Sequence, residues 1–458
     1  MNESEIEKSK IYIYMLEALS DELGETNRIG GDSNSNRMDV DPYSKFVYDR
    51  IRELYWTLSR PLKRLTSRLI KFKKAAAPLE PYVTLTSDIP APPASGRLLI
   101  DMTNTVETGA ATGIQRVVRE IARHCVETGA GVPVVIEAGR ILSYYRHPAL
   151  PRIIEPCTGD ILLVLDASWN HFADYPPIMR AMKACGGKSI VGVYDILPLT
   201  YPWLFHPLTV HNFRAWYAQI LLQGDAVVAI SRASAESLLA YLRGGGTKPA
   251  SALPIGWWPL GADFAAETTG EASAKAQSTA AGAPYFLSVG TLEPRKGYPI
   301  AIDAFERLWA SGVDVRYVIV GRPGWKTRAL QARLREHKEF DSRLVWFDDA
   351  SDADLRVLYA HARGAVLASV AEGFGLPLVE AAFHGVPAIA SDISVFREVG
   401  GDGARYFKLL DSAGLAAGIQ EMLTQPKTVP PIKAISWRES TAHLVRLIRE
   451  GAYQLRLN

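Results

Sequence analysis

The sequence is poor in several things, and each absence narrows what it can be. It has only three cysteines, Cys125, Cys157 and Cys185. The number is odd and no two are spaced as Cys-x-x-Cys, which excludes a disulfide framework and a thiolate zinc site and predicts a reducing compartment. Long apolar runs are missing: the longest candidates, such as ILLVL at 161–165, are the size of a strand and far short of the roughly 20 residues that a membrane-spanning helix needs. A charge excess of one sign is missing too. The net charge is +2, so the chain as a whole is no polyanion binder. The first residues, MNESEIEKSK, are polar and acidic, so no signal peptide is expected.

What is present is a soluble, globular composition, 48% hydrophobic and 22% charged. At 458 residues the chain is too long for one ordinary core, and two domains with additional segments are expected. Residues 1–95 form an N-terminal extension. Within it, Val47, Ile51, Leu54, Leu58, Leu62, Leu65, Leu69 and Phe72 recur at steps of three or four and mark one face of a helix over 45–74. Ten Lys/Arg stand against two acids in that stretch, giving it +8 and leaving −6 for the rest. The functional reading is a peripheral anchor on anionic lipid; the bland one is a face that docks on the rest of the protein. No nucleic-acid module accompanies the basic helix, so no nucleic-acid partner is expected.

From Arg97 onward, short apolar strands alternate with helices, which predicts an α/β fold with parallel sheets covered on both faces. The expected division is a first Rossmann-like domain over 96–265 and a second over 284–440. A C-terminal helix over 441–458 should return to the first domain. Between the two domains, residues 266–283 (AETTGEASAKAQSTAAGA) are low in complexity and predict a linker or flexible loop.

The chemistry concentrates in the second half. In AEGFGLPLVEAAFHG (371–385), a strand should deliver a glycine-containing loop to a helix opened by Pro377. Gly375 frees the backbone for close approach to a ligand, and the helix-start N–H groups favour phosphate. Glu380, one turn into that helix, can clamp a ribose, and Glu372 faces what lies beyond the phosphates. GTLEPRKGY (290–298) brings Arg295 and Lys296 to the carboxyl edge of the same sheet, where two cations can neutralise a diphosphate without metal. Asp352 and Asp354 resemble a metal box but read better as helix caps. No metal and no cofactor are expected.

The ordered set GTLEPRKG, VGRPGW and LASVAEGFGLPLVEAAFHGVPAIASDISVFREV resembles the retaining glycosyltransferases of family 4, over about residues 97–450. That resemblance implies the GT-B fold, in which two Rossmann-like domains face each other across a cleft. It implies that Glu372 contacts the donor sugar, that Phe374, Gly375 and Leu376 present backbone to sugar and diphosphate, and that Glu380 holds the ribose. Arg295 and Lys296 would hold the diphosphate, which makes the nucleotide-sugar a co-substrate. Gly113 and Arg116 match in kind the family's glycine-rich loop in the first domain, and Asp195 would orient sugar or acceptor hydroxyls. Two departures stand out. Thr291 occupies a position where many relatives have Arg, and Tyr194 one where many have His. The wording TGIQRVVRE and VYD-L-P resembles a polysaccharide-building subset. It implies mannose from GDP-mannose first and rhamnose from a dTDP donor second, passed to a growing, possibly lipid-linked, bacterial glycan in the cytoplasm or at the inner membrane face. A non-catalytic subunit that binds a nucleotide-sugar is the alternative, and a GT-B epimerase that releases free sugar is a third reading.

Overall fold

The computed structural model describes Pro93 and residues 96–457, apart from 110–112, 146–151, 246, 248, 250–251, 264–269 and 425–431. Apart from Pro93, the extension lies outside the described residues, and with it the basic helix expected over 45–74. No helix among the described residues is long and apolar enough to cross a membrane.

Two sheets organise the rest. The first contains β1 (Leu98–Asp101), β2 (Val132–Glu137), β3 (Arg140–Ser143), β4 (Ile161–Val164), β5 (Lys188–Val193), β6 (Ala226–Ala229) and β7 (Leu253–Trp257). The second contains β8 (Tyr285–Val289), β9 (Arg316–Val320), β10 (Leu344–Phe347), β11 (Gly364–Leu367), β12 (Ala388–Ser391) and β13 (Ala404–Phe407), in the spatial order β10-β9-β8-β11-β12-β13 and parallel throughout. A last strand, β14 (Leu455–Leu457), adds antiparallel to β7, so the first sheet runs β14-β7-β6-β5-β4-β1-β2-β3. Strands such as ILLV and AVVA are buried along their whole length, as helices on both faces of a parallel sheet require. These are two Rossmann-like α/β domains.

Eight helices position the site and join the domains: α1 (Gly113–Glu127), α2 (Arg232–Arg243), α3 (Ala274–Ala281), α4 (Tyr298–Ala310), α5 (Asp352–His361), α6 (Leu376–Phe383), α7 (Ser394–Gly400) and α8 (Trp437–Glu450). Two sequence expectations change here. The stretch read as a linker contains α3, capped by the Ser273 side chain. Ser273 N–H also donates to Asp354 Oδ1 at 2.7 Å, and Ala276 is fully buried in the second domain's core. The expected boundary at 440 falls inside α8. Ser436 and Glu439 build a capping box at its start, and Trp437, Leu444, Leu447 and Ile448 join the first domain's core beside Leu98 and Ile121. The segment 441–458 is therefore the remainder of a helix, a turn and a strand. Asp354 closes a capping box with Ser351 at the start of α5, which leaves the Asp-x-Asp pair as helix chemistry.

Candidate active site

Two loops meet at the carboxyl ends of the second sheet. The turn after β8 carries Pro294–Lys296 as a single 3-10 turn, and its Arg295 carbonyl accepts from Val370 N–H at 2.8 Å. This ties the turn to the loop leaving β11. Glu372 in that loop is met by Arg295 Nη1, by Lys296 Nζ at 2.6 Å and by Ser369 Oγ at 2.9 Å. Arg295 Nε also donates to Glu293 at 2.7 Å. Burial alone would raise the Glu372 pKa, but the cations Arg295 and Lys296 prevail and hold it at about 2. Burial likewise opposes the Arg295 charge, and Glu372, Glu293 and Asp195 outweigh it, so the guanidinium is held more firmly protonated. Ser288, Lys296, Tyr298, Ser369, Glu372 and Pro377 border a small recess at this edge.

Asp195 reaches this cluster from the first domain. Its Oδ1 accepts from Leu197 N–H at 2.9 Å. Burial raises its pKa, with Arg295 pulling the other way. Asp195 is thus both a turn residue and a neighbour of the cations.

Glu380 lies in α6, buried, with two partners. Arg116 Nη1 from α1 of the first domain is 2.5 Å from its Oε1, and Tyr359 OH from α5 is 3.2 Å from its Oε2. Gly375 begins α6 at φ +95°, and a Cβ there would lie 2.6 Å from Phe396 Cε1. Both the left-handed backbone and the close ring demand glycine. No side chain caps this helix start; Pro377 has no N–H and the Leu378 N–H donates to the Gly375 carbonyl at 2.8 Å, so the Leu376 N–H is the first-turn amide left to face a ligand. Leu376 is the first helical residue, and a Cβ on Gly113 would touch Leu376 Cδ1 at 3.4 Å. Gly113 at the start of α1 therefore abuts the start of α6. Phe374 turns its ring into the first domain's core with Tyr194 and Val379, so only its backbone is left for a ligand.

The structure brings Glu372, Arg295, Lys296 and Asp195 into one cluster. Glu380, Gly375, Leu376 and Gly113 form the adjoining part, linked through Arg116. Sequence reasoning missed the Arg116–Glu380 pair, Tyr359 behind it, and Ser231 and Ser234, which reach the donor loop from α2. Arg116 and Glu380 were each named from the sequence without their meeting, and Ser231 left a trace as a polar residue at the junction of strand and helix where an N-cap belongs.

Two Rossmann-like domains with the site at the sheet edge between them have the GT-B architecture. Residues 271–434 match the family described as glycosyl transferases group 1. The chain is similar to the serotype-specific mannosyltransferase WbdA of Escherichia coli, 32% identical over 76% of this chain and 46% of that one. It is similar to the O-antigen chain mannosyltransferase B of Escherichia coli, 33% identical over 34% of this chain and 38% of that one. The resemblance to bacterial polysaccharide mannosyltransferases holds over these spans, and the chain spans about half the length of the curated relatives it matches. The sucrose-phosphate synthase of Thermosynechococcus elongatus is alike at a TM-score of 0.48 and 17% identity, over 78% of this chain and 95% of that one; the fold assignment rests on the strand order and not on this likeness.

Proposed function

We propose that this chain transfers a hexose, mannose first, from a nucleotide-diphospho-sugar to a growing bacterial polysaccharide, with retention and without a metal. One observation carries the reading. Arg295 and Lys296 converge on Glu372 at the carboxyl edge of the second sheet, while Glu380 waits on the next helix, whose start no side chain caps. The diphosphate takes the two cations and the Leu376 N–H at the start of α6. Glu380 accepts from the ribose, and Glu372, released from its cations, accepts from the sugar. The acceptor oxygen then forms its bond to the anomeric carbon on the face from which the diphosphate departs. The bond from that carbon to the phosphate oxygen breaks, and the acceptor proton passes to that oxygen. Positioning and charge do the work, with no dedicated base. Arg295 and Lys296 supply the positive charge that a divalent ion would otherwise bring.

Mannose is supported by the likeness to the two Escherichia coli mannosyltransferases, and a cytoplasmic site by three free thiols. The basic segment 45–74 would hold the enzyme to anionic lipid; failure of phosphatidylglycerol liposomes to retain the full chain at low salt ends that idea. The function itself is tested by a thermal-shift panel of GDP-, UDP-, dTDP- and ADP-sugars, followed by transfer from GDP-mannose. Binding of one donor is expected, with transfer lost in Glu372→Ala. Stabilisation by none of the four refutes the donor site. Binding without hydrolysis or transfer makes the chain a non-catalytic subunit.

A further inference from the structure

The donor loop is held by both domains. Its entry is tied within the second domain by Val370 N–H on the Arg295 carbonyl. Its middle is held from across the cleft. The Gly373 carbonyl, one residue past Glu372, accepts from Ser231 Oγ at 2.7 Å and Ser234 Oγ at 3.0 Å, both buried at the start of α2. The single Ser234 hydroxyl proton is shared with the Tyr194 carbonyl at 2.9 Å. That carbonyl lies so close that a Cβ on Gly373 would be 2.3 Å from it. The next residue, Phe374, is buried among first-domain side chains. Beside this clamp, the Glu398 carboxylate of α7 accepts from Arg232 and Ala233 N–H, both at 2.7 Å. The start of α2 therefore makes two separate contacts with the second domain, and only one of them touches the loop that carries Glu372.

We propose that Ser231 and Ser234 are positioning residues for sugar transfer. They act through the Gly373 carbonyl and set the backbone that aims Glu372. The inference rests on the glycosyl-transfer function. Glu380 and the Leu376 N–H belong wholly to the second domain, so nucleotide capture does not need the clamp, whereas aiming Glu372 does. Ser231 also accepts from Ser234 N–H and so caps α2. The Ser234 side chain caps no helix, and its hydroxyl serves only the two carbonyls of the clamp, so it is the residue to change.

The test compares Ser234→Ala, Gly373→Ala and Glu398→Gln in the full chain, measuring GDP affinity by calorimetry and kcat for mannose transfer from GDP-mannose. Ser234→Ala should lower kcat about 5-fold, the worth of one buried hydrogen bond, and leave the GDP Kd within about 3-fold. Gly373→Ala should lower kcat by at least about 10-fold with the same split, because the new methyl pushes the Tyr194 carbonyl and the loop apart. Glu398→Gln breaks the neighbouring contact between domains without touching the loop. It should lower the melting temperature yet keep kcat within about 3-fold. The inference is overturned by unchanged kcat in Ser234→Ala, by GDP affinity falling in step with kcat, or by Glu398→Gln losing as much kcat as Ser234→Ala. A wild type that neither binds GDP nor transfers mannose overturns the function reading, and this inference with it, before any variant is made.

Discussion

Replacing Glu372 by Gln keeps the side chain's size and removes its charge. The carboxylate is only 8% exposed and faces two cations. Breaking a buried pair by neutralising one partner costs about 3–5 kcal/mol. A second route gives a similar figure. The pKa is lowered from 4.5 to about 2, which corresponds to about 3 kcal/mol at neutral pH. Arg295 keeps Glu293 as a partner, so the lower end of the range is expected. At roughly 2–4 °C per kcal/mol for a domain of this size, the variant should melt about 6–12 °C below wild type at pH 7. The sign with pH follows from the depressed value. This stability is complete above the unfolded carboxyl pKa and is lost as pH falls toward about 2. Roughly a quarter of it is gone at pH 4 and over half at pH 3. Melting curves of the two proteins by circular dichroism should therefore converge in acid. A nucleoside diphosphate, which brings negative charge back to Arg295 and Lys296, should stabilise the variant more than the wild type. Melting within about 2 °C of wild type at pH 7, or a gap that does not shrink in acid, would refute the buried-pair argument.

Three further outcomes are expected. Arg116→Ala removes the guanidinium that occupies Glu380, so calorimetry should find the plain nucleoside bound about 5-fold more tightly, an exchange worth about 1 kcal/mol; unchanged or weaker binding argues that Arg116 does not compete with the ribose. Gly375→Ala places a methyl against Phe396 at a left-handed φ and should cost at least about 2 kcal/mol in denaturant titration, with part recovered by adding Phe396→Leu. Asp101 is fully buried, and burial together with the Asp166 charge raises its pKa to about 7. Because the folded form holds this proton more firmly, wild-type stability should fall as pH rises from about 4 through about 7. Asp101→Asn should flatten that slope, and an equal slope in both proteins would place the titration elsewhere.

The alternation of strands and helices was legible because buried parallel strands are short, wholly apolar runs and helices repeat at 3.6 residues. The same logic explains the failure at 266–283. The helix Ala274–Ala281 buries only Ala276 and Thr279, so it shows no apolar stripe, and its small residues look like a linker. Glu372 and the cations were legible because strand ends, a turn and a helix start bring them to one sheet edge by local geometry. Arg116 and Glu380 are 264 residues apart, and no local pattern encodes their meeting. The seat of Gly373 against Tyr194 depends on how two domains close, which periodicity does not record. The departures at Thr291 and Tyr194 are local in sequence, yet the structure accounts for only one: the Tyr194 ring packs in the first domain's core beside Phe374, while nothing in the structure explains Thr291.

The charge balance around Arg295 explains why the two glutamates are spaced as they are. Arg295 and Lys296 carry two positive charges, and Glu293 and Glu372 already match them. Asp195 stands close by with its pKa raised by burial. A diphosphate adds at least two negative charges to a nearly neutral cluster, so it binds well only if one carboxylate gives way. Glu293 sits two residues from Arg295 and is locked to its Nε. Glu372 is on a separate loop, and its pairing with the cations is an alternative to contact with a sugar. On the proposed function, arrival of the leaving group and release of Glu372 are a single exchange, and a similar exchange at Glu380 swaps Arg116 for a ribose. A shorter spacing would put both carboxylates in competition for the same cations. With seven residues and a helix start between them, Glu372 on this proposal yields Arg295 and Lys296 to the diphosphate while Glu380 exchanges Arg116 for the ribose.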